Sequence, residues 1–102
     1  MAIKAQYLAQ LLPDLTLPRL SLNGSPRERL LEQYTDCAEA IRKAIFAHTV
    51  TEPNERDYTS RADWQTAITE AREREKHLRH ALTEIWARAY HVADAAGPEG
   101  NR

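Results

Sequence analysis

Between residues 60 and 93, Trp64, Ile68, Ala71, Glu75, Leu78, Leu82, Ile85, Ala89 and Val92 recur at alternating steps of four and three. That spacing keeps one stripe of a helix apolar, so it predicts a single unbroken amphipathic helix. At 1.5 Å per residue the helix would run about 50 Å. A chain of 102 residues has room for one domain, so the other segments have to be laid along this rod.

A second helix precedes it. Ser25-Pro26-Arg27-Glu28 is a helix start, in which the Ser25 hydroxyl can accept an early amide, Pro26 loses no needed donor and Glu28 can reach back to the cap. The expected helix runs to about Ala47, with Leu30, Tyr34, Cys37, Ile41, Ala44 and His48 as its seam and Leu31, Ala38 and Ile45 flanking it. That phase points Cys37 inward as a small buried hydrophobe. Residues 49–59 join the two helices. Thr49-Val50-Thr51 and Asp57-Tyr58-Thr59 flank Glu52-Pro53-Asn54-Glu55-Arg56, which fits either a small β-hairpin or a plain loop. Ser60-Arg61-Ala62-Asp63 then repeats the capping pattern, with an acid near the positive end of the helix dipole.

The fold class expected is therefore mainly α, an antiparallel helical hairpin of two long helices. Ahead of it, Ile3, Tyr7, Leu8, Leu11 and Leu12 fit one face of a short N-terminal helix over residues 2–12, which Pro13 stops. Residues 14–22 carry leucines at 15, 17, 20 and 22 around Pro18 and read as an extended arm, and Asn23-Gly24 turns the chain. The organisation expected is residues 1–24 as short helix and arm, 25–93 as hairpin core and 94–102 as a disordered tail, where Gly97-Pro98-Glu99-Gly100 has that composition.

The helices differ in length. If the first folds back directly, it reaches only to around Leu82, leaving Ile85, Trp86, Ala89, Tyr90 and Val92 without a partner in the hairpin. Either the N-terminal helix and the leucine arm cover them or another chain does. Ile85, Trp86, Ala89 and Tyr90 are accordingly the candidate partner-binding residues, with the two aromatics as anchors.

Glu75 interrupts the long seam, and a buried carboxylate needs a partner. Arg42, a tyrosine hydroxyl, or water entering where the helices diverge are the expected ones, and the expected role is to fix register. No second carboxylate joins it for acid–base chemistry. Glu73, His77, His80 and Glu84 are metal-ligating residue types along one helix face. Four side chains strung along one straight helix cannot converge on one ion, and i,i+4 ion pairs such as Glu70 with Arg74 and Glu75 with Arg79 explain the face without a ligand. No metal or other cofactor is expected.

Net charge is −1, from 14 basic and 15 acidic residues, so no overall field gathers nucleic acid or an anionic membrane. A local patch of Arg72, Arg74, Lys76, Arg79 and Arg88, joined by Arg27 and Arg29, is diluted by alternating glutamates. There is no glycine-rich phosphate loop and no glycine-flanked nucleophile, and an enzyme is the least supported class. One cysteine rules out an internal disulfide. No apolar run is long enough to span a membrane, no cleavage signal follows the N terminus, and the cytoplasm is the expected compartment.

The order of a capped helix, a short polar connection and Tyr58-Thr59-Ser60-Arg61-Ala62-Asp63 opening a second helix resembles small bacteriophage head-to-tail joining proteins, the family of protein W of lambda-like phages. The resemblance covers roughly residues 25–82 and rests on the capped start of the second helix. It implies an assembly protein that docks between larger rings, without catalytic residues, in the host cytoplasm or the virion. Three function classes follow. The first is a non-enzymatic interaction module, either a phage-type assembly adaptor or an inhibitor or regulator docking on a host nuclease, polymerase or defence complex, with self-association open. The second is a nucleic-acid-binding accessory protein, and the third a metal-dependent enzyme.

Overall fold

The computed structural model describes residues 12, 14–21 and 23–95. Two helices make up most of it, α1 (Arg27–Val50) and α2 (Arg61–Asp94), joined through a 3-10 turn at Glu55–Asp57. They pack as an antiparallel hairpin, and no strand occurs among the described residues. None of these helices is long and apolar enough to cross a membrane. The expected N-terminal helix and the tail beyond Ala95 lie outside the described residues.

α2 starts as its sequence predicts. Ser60 is extended and its hydroxyl accepts from the Asp63 amide at 3.0 Å, while the Asp63 carboxylate accepts from the Thr59 hydroxyl at 3.1 Å. One otherwise orphaned amide of the first turn is thereby satisfied. α1 starts differently from expectation. Its N-cap is Pro26, not Ser25, and no side chain caps it. The Pro26 carbonyl accepts the Leu30 amide at 3.0 Å; its φ of −60° suits helix and extended backbone alike, and its ψ of 148° leaves it extended, so the helix begins one residue late. It also continues to Val50, past the expected end.

The connection forms no β-hairpin. The Asn54 side chain accepts from the Arg56 amide at 3.2 Å and the Tyr58 amide donates to Glu55 O at 3.2 Å, which closes a local turn before two short strands could pair. This connection decides the register of the whole hairpin. It runs back along the first turns of α2, held there by the Trp64 indole donating to Pro53 O at 3.1 Å. The end of α1 therefore lies beside residues 68–75 of α2, where His48 Nδ1 is 4.0 Å from Glu75 Oε1. At the other end, Arg27 Nη2 donates to Ala93 O at 3.0 Å. The length mismatch thus falls at the start of α2, not at its end, and Ile85 to Val92 do have α1 alongside.

The inward face of α1 is also rotated from expectation. Ala38 and Ile45 are buried and Leu31, Tyr34, Ile41 and His48 half-buried, whereas Cys37 and Ala44 are exposed. The doublets Leu30-Leu31 and Ala44-Ile45 allow two phases one residue apart, and packing selects the one that buries the isoleucine. The long seam of α2 holds throughout, none of its nine residues being exposed.

Among the described residues seven hydrophobic ones are buried and five of them are alanines, Ala38, Ala67, Ala71, Ala87 and Ala89, joined by Ile45 and Val92. Small residues let the helices approach closely, so stability depends on larger side chains that flank the contact and are only half covered. Every residue from 81 to 93 is buried or half-buried. Ala87 and Ala89 are both buried yet point about 200° apart on the helix, so this half of α2 is covered on two opposed sides. α1 supplies one cover. The arm lies against the other, extended over residues 15–21 with Leu15, Leu17, Pro18 and Leu20 half-buried, and His91 Nε2–H donates to Pro18 O at 2.9 Å. Leu22 lies outside the described residues.

Candidate functional site

Three regions carry side chains that could act on another molecule. The first is a crevice of about 110 Å³ where α1 ends against α2, lined by His48, Thr49, Glu52, Pro53, Ile68, Ala71, Arg72 and Glu75. Glu75 does not meet Arg42 or a tyrosine, as its sequence position suggested. One carboxylate oxygen accepts from Arg79 Nε at 2.9 Å and the other faces His48, while Arg42 pairs with Glu39 at 3.5 Å. At 4.0 Å the His48–Glu75 contact is too long for a hydrogen bond, and both His48 ring nitrogens are buried without one. The Thr49 hydroxyl is occupied by Phe46 O at 2.6 Å, so the crevice presents no free nucleophile next to its histidine.

Two unpaired ring nitrogens in a buried position are a net cost to folding. Replacing them with a side chain of similar size that has no polar atoms removes that cost. His48→Leu is therefore expected to raise stability by about 1 kcal/mol, measured by urea denaturation; a loss of stability would show that the ring makes a favourable contact with Glu75 in solution.

The second region is the exposed charged face of α2. Glu73 and His77 approach to 3.8 Å and His80 and Glu84 to 3.5 Å, two separate i,i+4 pairs one turn apart. No group of three or more ligand-type residues able to hold a metal ion occurs among the described residues. In the basic patch, Arg72, Arg74 and Lys76 are exposed. Arg79, Arg88 and Arg27 are engaged within the chain, on Glu75, on Glu84 O at 3.3 Å and on Ala93 O. The charge left over for phosphates is thinner than the sequence suggested.

The third region is apolar. The residues singled out from sequence, Ile85, Trp86, Ala89 and Tyr90, sit in the double-covered half of α2. Ala89 is 2% exposed, the other three are half-buried, and the Trp86 and Tyr90 rings pack at 5.7 Å. The length argument that selected them does not apply in the observed register. Among the described residues the large apolar side chains that face solvent are Phe46 at 75% and Val50 at 77% exposure on α1, with Tyr58 of the connection at 38%. Phe46 and Val50 are one turn apart, beside an open dent lined by Glu39, Arg42, Lys43 and Phe46. Neither belongs to the seam expected from sequence, Phe46 because it adjoins Ile45 and Val50 because it lies past the expected end of the helix at Ala47. The signal was present as an apolar i,i+4 pair lying off the inward face.

No family model, no curated protein and no solved structure matches the chain.

Proposed function

We propose that the chain is a non-enzymatic interaction module, an assembly adaptor of the type implied by its resemblance to head-to-tail joining proteins, and that it docks through the outer face of α1. The observation that carries this reading is the exposure of Phe46 and Val50 within a regular helix of a narrow rod, 65 × 24 × 21 Å. An aromatic and a β-branched side chain held in water by a helix gain by desolvation when a partner arrives, and the helix has already met the ordering cost. In the crevice His48 and Glu75 face each other at 4.0 Å without a hydrogen bond and with no free nucleophile beside them, which favours contact over catalysis.

The test is affinity capture of the tagged chain from its own organism, with Phe46→Ser as the control. Capture of portal or tail-ring proteins, reduced at least tenfold by Phe46→Ser, is the expected result. Because Phe46 is exposed, the same variant should change stability by no more than about 0.5 kcal/mol, read by thermal denaturation. Recovery of a host nuclease, polymerase or defence complex instead would make the chain an inhibitor or regulator. Capture unchanged by Phe46→Ser would overturn this face as the docking surface.

A further inference from the structure

The outer face of α1 is polarised along its length. Glu28, Glu32, Asp36 and Glu39 occupy the first part, Arg42 and Lys43 follow, and Phe46 and Val50 end it, all of them exposed. Glu39 and Arg42 satisfy each other at 3.5 Å. Asp36 and Lys43, two turns apart on one stripe, have no ion-pair partner among the described residues. Arg29 is the one base among the four acids of the first part, so the face is net acidic there and basic at Arg42 and Lys43, which makes it complementary to itself when reversed.

We propose that this face pairs with a second copy of the chain, α1 against α1 in antiparallel order about a two-fold axis passing between Glu39 and Ala40. The inference rests on the reading of this face as a docking surface and names its first occupant. In that register Asp36 of each copy is level with Lys43 of the other, so one contact is made twice, as an isologous interface requires. Phe46 comes to lie over the aliphatic stem of Glu32 of the other copy, and Val50 near that of Arg29. Ala40, exposed and small, sits at the axis and lets the backbones approach. Two helices of about 36 Å bury less than the roughly 1,600 Å² of a standard interface, so the dimer is weak, with a Kd on the order of 10–100 μM.

Sedimentation equilibrium of the full chain from about 5 to 500 μM, spanning that Kd, should show the mass rising from one chain towards two. Asp36→Lys or Lys43→Asp alone should weaken the dimer at least tenfold, because each sets like charges opposite each other twice. The two changes in one chain should restore it. In a Cys37→Ser background, Ala40→Cys should give a disulfide-linked dimer under mild oxidation, while Thr66→Cys, exposed on α2, should not. A single-chain mass at every concentration, or a dimer indifferent to the charge exchanges, would overturn the proposal. The two readings also separate. A monomer whose partner capture still fails on Phe46→Ser removes the second copy and leaves the adaptor, whereas a charge-sensitive dimer with capture unaffected by Phe46→Ser leaves the second copy and removes the adaptor surface.

Discussion

Val92→Asp should lower stability by about 3–5 kcal/mol, the cost of an unpaired charge in a buried position. Val92 is the largest completely buried side chain among the described residues, and it lies three residues from Ala89 on the face of α2 that meets α1. A carboxylate there either stays ionised without a partner or takes up a proton and remains without a hydrogen bond, and both outcomes are unfavourable. For a domain of this length each kcal/mol moves the thermal midpoint by roughly 4–8 °C, so a shift of about 15 °C or more is expected. A chain that starts at the low end of the usual range, about 5 kcal/mol, would be partly unfolded at its working temperature. Thermal denaturation followed by helix circular dichroism reads the effect, and a shift under about 3 °C would show that the double cover on this half of α2 is open in solution.

Trp86→Ala should separate a packing residue from a docking one. The indole is half-buried and stacked at 5.7 Å on Tyr90, so its removal forfeits apolar burial and a ring contact. A loss of about 2–3 kcal/mol is expected, below the value for a fully enclosed tryptophan because part of the ring already meets water. Partner capture, compared at a temperature where the variant is folded, should be unchanged. The opposite pair of results, full stability with capture abolished, would return the docking surface to Ile85, Trp86, Ala89 and Tyr90. Set beside Phe46→Ser, the two aromatic variants make a reciprocal pair, one expected to affect folding and the other binding.

Much of the candidate site was not legible in the sequence, for identifiable reasons. Phe46 was hidden because the first helix carries more apolar residues than one face can hold, so periodicity alone could not say which were surplus, and Val50 because Thr49-Val50-Thr51 reads as part of the connection, whereas the helix continues through it. Once Ala38 and Ile45 define the inward side, Phe46 and Val50 fall off it and Cys37 faces solvent. The partners of Glu75 were legible only in part. Arg79 stands at i+4 on the same helix and could be read from spacing, but His48 reaches Glu75 only because α1 ends at that level, which is a matter of register.

The sequence by itself determined the two helices, their order, the Ser60 cap and the seam of α2. Each of these depends on interactions within about one turn, and a period of 3.6 residues is written directly into the chain. Tertiary structure alone decided which ends of the helices align, which phase of α1 turns inward and which apolar side chains remain in water. Those outcomes follow from the path of residues 51–60, bound to α2 through Trp64 and Pro53, and from close packing of alanines in a thin core. Both bring together residues far apart in the chain, and a local pattern holds no information about which distant face it will meet.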